Sequence, residues 1–224
     1  MTSLADRLAT VRARLRPGVT LVAVSKTQPS SAIREAYQAG QRDFGENYAQ
    51  EWRDKASELA DLPDLVWHFI GGLQTNKVKY LVPAPRPAAV AAPAVRWVHT
   101  VDRLALAEEL SRRSAARGGT TRVLLEVNVG QEASKAGCAP GEVARLAEAV
   151  MRLPGLELRG LMCIPPAEDD PRPHFARLRE LRDALGLALA DLSMGMSGDY
   201  PTAMEEGATL VRVGTAIFGA RPRD

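Results

Sequence analysis

Lys26 is the residue whose type and position most directly suggest chemistry. Only five of the chain's 29 basic residues are lysine, and this one ends the apolar run in LVAVSKTQP. Val22, Val24 and Lys26 share one face of the predicted strand, because successive strand side chains point to opposite faces. If that face lines a poorly hydrated interior, lost solvation lowers the pKa of the amine and favours the neutral nucleophile that condenses with carbonyl groups. The alternative is a lysine whose charged end reaches solvent at the end of a strand.

A second group of polar residues lies near the other end of the chain. The motifs MGMSGDY and LVRVGT contain Ser197, Gly198, Arg212, Gly214 and Thr215. Hydroxyl groups, glycines and backbone N–H groups just before a short helix, here AIFG, suit a phosphate. An amine, a guanidinium and a phosphate cradle at one place would suit a phosphorylated aldehyde held as an imine.

Eight short apolar runs, most of them separated by segments of helical periodicity, would have to position these residues. They cover residues 19–26, 43–47, 65–71, 95–102, 121–130, 156–164, 192–198 and 209–219. Strands that alternate with helices through short connections are parallel, with the helices outside. The order predicts an α/β fold, a single closed (β/α)8 barrel with an extra N-terminal helix. An open doubly wound sheet is the alternative.

Closure of the barrel would unite the two groups of residues. Strand eight would then lie about 4.8 Å from strand one. Chemistry in such barrels takes place at the carboxyl ends of the strands, and the loops after strands seven and eight often hold a phosphate. The barrel therefore predicts that Lys26 and Arg212 meet at one corner of its mouth.

The composition sets limits on the class of protein. The 224 residues fit one large domain or two small ones, and 46% hydrophobic and 25% charged residues are typical of a soluble globular protein. With the barrel, we expect a single domain over residues 1–224. The net charge of +2, with scattered basic residues, argues against nucleic-acid binding. We find no membrane span or secretory signal, and we expect a cytoplasmic protein with two free thiols, Cys138 and Cys163, and no metal site. The Ala/Pro tract at residues 82–94 is interpreted as a surface insertion.

Eight motifs along the chain carry a resemblance to a known family. In order they are AVSKTQP, DFGENYAQE, WHFIGGLQTNK, HTVDR, EVNVGQEASKAG, RGLMCIPP, LSMGMSGD and GATLVRVGTAIFG. From about residue 19 to residue 221, the chain resembles the pyridoxal phosphate homeostasis proteins. That family is similar to the barrel half of the alanine racemase fold, standing alone.

The resemblance implies a cofactor and the residues that hold it. Pyridoxal 5′-phosphate would form a Schiff base with Lys26, and Arg212 would face the pyridine nitrogen. Asn47 would lie near the ring. The phosphate would be held by Ser197, Gly214 and Thr215.

The resemblance also implies a carrier rather than an enzyme. Arg212 would leave the ring nitrogen unprotonated and weaken the ring as an electron sink, which disfavours transamination and decarboxylation. The family is regarded as binding, buffering and delivering the cofactor, with apo-enzymes as transient partners and a monomeric chain. We therefore predict a role in cofactor homeostasis without catalytic residues.

Two enzymatic alternatives remain. A minor amino-acid racemase would need a second acid/base group, which alanine racemases take from a tyrosine of another domain. Because the sequence reaches only Asp224, we expect no such domain, and of the tyrosines we expect only Tyr48 and Tyr200 to approach the mouth. A cofactor-free Schiff-base aldolase would need an acid/base pair inside the barrel, which the motifs around Lys26 and Arg212 do not supply.

The remaining polar candidates receive simpler interpretations. The three histidines are expected to be packed or exposed without a metal: His68, His99 and His174. Asp199 and Glu206 are expected to be helix-capping or surface charges. Lys77, after strand three, is a hypothetical second acceptor of the aldehyde, against the simpler alternative of a solvated rim charge.

Overall fold

Eight parallel strands form a closed barrel in which each strand pairs with its neighbours in chain order and β8 pairs with β1. The computed structural model describes residues 2–84 and 94–219. The strands are β1 Thr20–Val24, β2 Asp43–Glu46, β3 Val66–Phe69, β4 Trp97–Val101, β5 Thr121–Glu126, β6 Leu156–Met162, β7 Asp191–Ser193 and β8 Leu210–Val213. The predicted (β/α)8 barrel is therefore confirmed, and the open sheet is not formed.

Helices alternate with the strands and cover the outside of the barrel. They are α1 Leu4–Arg12, α2 Ser30–Gln38, α3 Ala49–Glu58, α4 Val78–Leu81, α5 Leu104–Ala116, α6 Val143–Met151, α7 Pro171–Ala184, α8 Tyr200–Glu205 and α9 Thr215–Phe218. Short 3₁₀ turns precede α4 and α6, at Thr75–Lys77 and Pro140–Glu142. Within residues 2–84 and 94–219, no helix combines the length and apolarity needed to cross a bilayer.

Several predicted strands extend too far along the chain. The eighth run was expected to cover 209–219, but its strand ends at Val213 and α9 begins at Thr215. Strand five ends at Glu126, because the chain then turns back and the Cys138 N–H donates to the Glu126 carbonyl. Strand seven covers only Asp191–Ser193. Short apolar runs do not distinguish a strand from a buried helix or loop, which explains these errors.

The outer face of the barrel is apolar and packs against the helices. Phe44, Leu125 and Val211 are fully buried in one large cluster with helical side chains such as Trp52 and Leu106. This alternation, with one side of each strand facing a helix, explains why the runs are rich in Val, Leu and Phe. The outer face supplies most of the apolar burial that stabilises the fold.

The N-terminal helix α1 belongs to the layer of helices that packs around the barrel. The Asp6 N–H donates to the Ser3 hydroxyl oxygen at 3.1 Å and the Ser3 N–H donates to the Asp6 carboxylate at 3.1 Å, so that the helix begins with a capping box. Leu4, Leu8 and Val11 are buried on one side of the helix. The Arg7 Nε donates to the Ile217 carbonyl at 2.6 Å, which ties α1 to α9.

The insertion predicted at residues 82–94 lies largely outside the described part of the chain. Residues 85–93 are not described, and Val82 and Val95 on either side of them are buried. The Val95 N–H donates to the Leu81 carbonyl at 3.1 Å. The described ends of the tract therefore meet at the barrel, between α4 and β4.

Candidate functional site

A cavity of about 260 Å³ opens at the carboxyl end of the barrel. All six residues predicted from the sequence line it: Lys26, Asn47, Ser197, Arg212, Gly214 and Thr215. Ile70, Ile164 and Met196 add apolar side chains to its wall. The fold thus brings together residues from both ends of the chain at one place, as barrel closure predicts.

Lys26 lies two residues beyond β1, in a turn whose backbone is held on both sides. The buried Ser25 donates from its N–H to the Gly45 carbonyl at 3.0 Å. Thr27 has a φ of +63°, an unusual value for a β-branched residue, and its N–H donates to Glu51 Oε1 at 2.6 Å. The lysine itself is half-buried. The chain therefore fixes the backbone at Lys26 while its side chain reaches the cavity.

Three charged residues beneath this turn form what we call the ionic clamp: Lys55, Glu46 and Glu51. Lys55 Nζ lies 2.8 Å from Glu46 Oε1 and 2.7 Å from Glu51 Oε1, and it donates to the Ser25 carbonyl at 2.7 Å. The Ser25 hydroxyl donates to Glu46 Oε1 at 2.6 Å. Glu46 is fully buried, and burial raises its pKa against the opposing effect of Lys55. The clamp connects β2 and α3 to both neighbours of Lys26.

Arg212 projects from β8 into the barrel, beside β1. It is in register with Val22, and only 4% of it is exposed. Its Nη1 donates to Ser193 Oγ at 2.7 Å and its Nη2 donates to the Cys163 carbonyl at 3.0 Å. Burial lowers the pKa of the guanidinium, and nearby Glu126 and Asp199 oppose that shift. Arginine nevertheless keeps its charge and acts only as a donor.

The corner predicted for a phosphate has the expected groups. The Gly214 N–H donates to Ser197 Oγ at 3.3 Å, so the loops after β7 and β8 meet. A side chain at Gly214 would place its Cβ 3.3 Å from the Cβ and the carbonyl oxygen of Val24, so the position favours glycine. Thr215, which begins α9, adds a second hydroxyl to the cavity wall.

Asn47 lies after β2, where a second close backbone approach shapes the wall. A Cβ at Gly71 would come within 2.2 Å of the Asn47 carbonyl oxygen, which only glycine permits. The Asn47 Oδ1 is buried without a hydrogen-bond partner among the described residues. A buried amide oxygen without a partner is costly, so this side chain is suited to pairing with a bound molecule.

The donor set of the cavity suits an anionic aldehyde. Among the described residues that line it, none carries a carboxylate, whereas Lys26 and Arg212 supply cations and Ser197 and Thr215 supply hydroxyls. A phosphorylated pyridine aldehyde needs an amine, donors for its phosphate and a partner for its ring. These residues fit the cofactor implied by the resemblance.

Several other predicted residues lie away from the cavity. Lys77 Nζ sits 5.4 Å from the centre of the Tyr80 ring and does not line the cavity, so the geometry does not support its hypothetical acceptor role. Tyr48 is 57% exposed and Tyr200 is buried at the start of α8, and neither lines the cavity. His174 pairs with Asp169 at 2.9 Å on the surface.

Asp199 and Glu206 have the structural roles expected for them, with one difference. Asp199 precedes α8, but its Oδ1 accepts from the Met196 N–H at 2.5 Å rather than from a helix N–H. It therefore shapes the loop that carries Met196 and Ser197. Glu206 pairs with Arg172 and Arg179, whose hydrogen bonds lower its pKa.

Both strand histidines are buried, one of the two outcomes expected for them, but sequence reasoning missed that they are linked. His68 Nε2 lies 2.9 Å from Asp43 Oδ1, and His68 Nδ1 lies 2.9 Å from His99 Nε2. His99 Nδ1 lies 2.8 Å from Ser193 Oγ, the atom that accepts from Arg212. We call these five residues the inner chain. Every second residue of a strand faces the interior, and on five strands one of these inward-facing residues is polar. That pattern is the sequence signal that could have predicted the inner chain.

Glu126 at the end of β5 was also missed. It is 7% exposed, and its Oε2 is buried without a hydrogen-bond partner among the described residues. Burial raises its pKa to about 7, with a further contribution from Asp102 and an opposing one from Arg212. The two thiols, Cys138 and Cys163, are buried, and burial raises the pKa of each to about 12, which makes them poor nucleophiles.

Comparisons with known proteins agree with this geometry. The family model described as alanine racemase, N-terminal domain, matches residues 1–222. A pyridoxal phosphate homeostasis protein of Pseudomonas aeruginosa is 52% identical over 234 residues, which cover 99% of this chain and 97% of that protein. The structure of PipY from Synechococcus elongatus PCC7942 with PLP bound has a TM-score of 0.87 and 41% identity, and it covers 97% of this chain and 100% of that one.

A more distant comparison concerns the fold alone. The alanine racemase of Corynebacterium glutamicum has a TM-score of 0.70 at 16% identity, covering 98% of this chain and 61% of that one. The predicted resemblance to the alanine racemase barrel is confirmed.

Proposed function

Because the chain belongs to the family of pyridoxal phosphate homeostasis proteins, we propose that it binds pyridoxal 5′-phosphate as a Schiff base on Lys26 and acts as a carrier in cofactor homeostasis. The observation that carries the proposal is the cavity itself. It joins one amine, one guanidinium and a hydroxyl-rich corner, with no carboxylate among its described lining residues.

Each lining residue has a distinct part in this binding. The cofactor supplies an aldehyde that condenses with a primary amine. Lys26 offers that amine from a turn whose backbone is held in place. Ser197, Gly214 and Thr215 hold the phosphate, and Asn47 contacts the ring. Arginine could not replace Lys26, because a guanidinium does not lose its proton in a protein.

Arg212 argues for a carrier. A cation that only donates hydrogen bonds leaves the ring nitrogen without a proton, which weakens the ring as an electron sink. A racemase also needs a second acid/base group across the substrate from the lysine. Tyr48 and Tyr200 do not line the cavity, so neither is placed to serve. As a carrier, the protein would have two kinds of partner: the cofactor and, transiently, the apo-enzymes that receive it.

The proposal is tested by titrating the cofactor-free protein with pyridoxal phosphate and following the visible absorption band of the imine. We expect stoichiometric uptake by the wild-type chain and by Lys79→Arg, a control at an exposed lysine outside the cavity. We expect no imine band in Lys26→Arg. An unchanged band in Lys26→Arg would overturn the assignment.

The carrier role is separated from racemisation by a chirality assay. The loaded protein is incubated with L-alanine or L-serine, and the D-enantiomer is measured against the concentration of sites. We expect no more than one turnover per site in a day. Many turnovers that depend on Lys26 would show that the chain is a racemase.

A further inference from the structure

The inner chain crosses the interior of the barrel from one end to the other. Asp43 begins β2 at the amino end of the barrel, and its side chain is 29% exposed. Arg212 lies at the opposite end, where it lines the cavity. Between them His68, His99 and Ser193 are each fully buried. Four hydrogen bonds of 2.7–2.9 Å therefore join a carboxyl group at one end to a guanidinium at the other.

The chemistry of the two end groups determines which atom donates in each of these bonds. Arg212 can only donate and an ionised Asp43 can only accept, so with neutral imidazoles Ser193 Oγ accepts from Arg212 and its O–H donates to His99 Nδ1. His99 then carries its proton on Nε2 and donates to His68 Nδ1. His68 likewise carries its proton on Nε2 and donates to Asp43. This arrangement satisfies every group with both imidazoles neutral, whereas the reverse order requires a protonated carboxyl group at Asp43.

The surroundings of the histidines favour the neutral forms. His68 stacks on Trp97 with ring centres 5.6 Å apart, and the Arg122 guanidinium lies 5.3 Å from the centre of the same indole. Burial lowers the pKa of both imidazoles. Asp43 opposes the shift at His68, whereas His68 and Arg212 reinforce it at His99.

The other ionisable groups facing the Arg212 guanidinium are Glu126, Cys163 and Asp199. A proton added to His68 would reverse the His68–His99 and His99–Ser193 bonds and leave the Ser193 O–H without an acceptor in the inner chain.

We propose that Ser193, His99, His68 and Asp43 are positioning residues that hold Arg212 toward the cavity through a one-directional chain of hydrogen bonds. Ser193 and the Cys163 carbonyl each take one N–H of the guanidinium, which leaves its remaining N–H groups for the ring of a bound molecule. The inference rests on the proposed function for the identity of that molecule. It adds that residues at the far end of the barrel belong to the binding site.

The direction of the chain can be measured on the cofactor-free protein. The sequence contains only three histidines, so long-range ¹H–¹⁵N spectra of the imidazoles resolve each ring, with the surface His174 as reference. We expect His68 and His99 to be neutral, with the proton on Nε2, from pH 6 to pH 8. A charged ring, or a proton on Nδ1 of either residue, would overturn the proposal whether or not the chain binds pyridoxal phosphate.

The effect on binding is tested with a matched pair of serine variants. Ser193→Ala removes the hydroxyl between Arg212 and His99. Ser111→Ala removes a similarly buried hydroxyl on α5, which donates to the Pro154 carbonyl at 2.6 Å and is not part of the inner chain. We expect both variants to fold with a small loss of stability. Only Ser193→Ala should weaken cofactor binding, by about tenfold, because a hydrogen bond to a charged group is lost.

A pair of substitutions at His99 separates positioning from packing. Glutamine offers one acceptor and one donor, as a neutral imidazole does, whereas leucine offers neither. We expect His99→Gln to bind the cofactor within about threefold of the wild type and His99→Leu to bind it at least tenfold more weakly. Equal binding by Ser193→Ala and Ser111→Ala would overturn the positioning role. Absence of binding in every variant and in the wild type would instead overturn the proposed function.

Discussion

Two buried polar networks support the two cations of the cavity, and they are built differently. The ionic clamp lies between β2 and α3, on the outside of the barrel, and consists of full charges in contact. The inner chain lies inside the barrel and carries charges only at its ends, with neutral groups between them. The clamp acts on the backbone beside Lys26, whereas the inner chain acts directly on the side chain of Arg212.

This difference matches the different tasks of the two cations. Under the proposed function Lys26 forms and releases a covalent bond, so its side chain has to move while its backbone stays fixed. Arg212 forms no covalent bond in this proposal, and a guanidinium in a fixed position can donate its hydrogen bonds without first being ordered. The difference also determines how much stability is lost when one group of each network is removed. A broken ionic network leaves an uncompensated buried charge, whereas a broken neutral chain leaves an unpaired polar group.

The largest expected effect comes from removing the cation of the clamp. Lys55→Met leaves Glu46, which is fully buried, without its ionic partner. We expect the free energy of unfolding at pH 8 to fall by about 3–5 kcal/mol, measured by urea denaturation. The turn that carries Lys26 loses one of its supports as well, so cofactor binding should weaken.

The matched control and the pH dependence identify the cause. The double variant Lys55→Met/Glu46→Gln removes the stranded charge, and we expect it to regain more than half of the loss. In Lys55→Met the pKa of Glu46 is raised further, so the folded state binds an extra proton and the stability of this variant should rise as the pH falls. A loss that is equal at pH 5 and pH 8, and that Glu46→Gln does not reduce, would mean that packing is the cause.

The next effect concerns Glu126, whose buried Oε2 has no hydrogen-bond partner among the described residues. Its pKa of about 7 in the folded chain exceeds the ordinary value of 4.5, so the folded state holds the proton more tightly. The stability of the cofactor-free wild type should therefore fall as the pH rises from 4.5 to 7. Glu126→Gln should remove this slope, with a difference of about 3 kcal/mol between pH 4.5 and pH 8. Parallel stability curves for the two proteins would contradict the assignment.

The smallest effect is expected at a surface ion pair, which serves as the baseline for both networks. Arg34 and Asp61 form two hydrogen bonds at 2.6 and 2.9 Å, and their side chains are 38% and 60% exposed. Water and salt screen such a pair. We expect Arg34→Ala to leave the urea midpoint and cofactor binding unchanged within error. A change comparable to that of Lys55→Met would show that burial does not distinguish the clamp from the surface.

The sequence was sufficient for the barrel and for the corner that holds Lys26 and Arg212. Apolar runs of regular spacing specify strands and helices locally, and the rule that barrel sites lie at the carboxyl ends of strands supplies the rest. Of the six predicted lining residues, Arg212 lies on β8 and the other five follow a strand, and Asn47 was implied by the family resemblance alone. These are statements about neighbours in the chain, which a sequence displays directly.

The two networks could not be predicted in this way. His99 and Ser193 are 94 residues apart, and only the register of a closed barrel brings them together. Lys55 shares the buried side of α3 with Trp52 and Ala56, and a lysine at that position was the one local sign of a buried ion pair. Contacts between distant strands depend on geometry that periodicity does not encode.

The central claim is that Lys26 carries the cofactor, and reduction followed by peptide mapping tests it most directly. The protein is loaded with pyridoxal phosphate, its visible spectrum is recorded, and borohydride is added to convert the imine to a stable amine. Digestion and mass spectrometry then locate the modified residue. We predict one modified peptide per chain, with the cofactor on Lys26. A colourless protein with Lys26 unmodified, or a cofactor fixed on another lysine, would contradict the account.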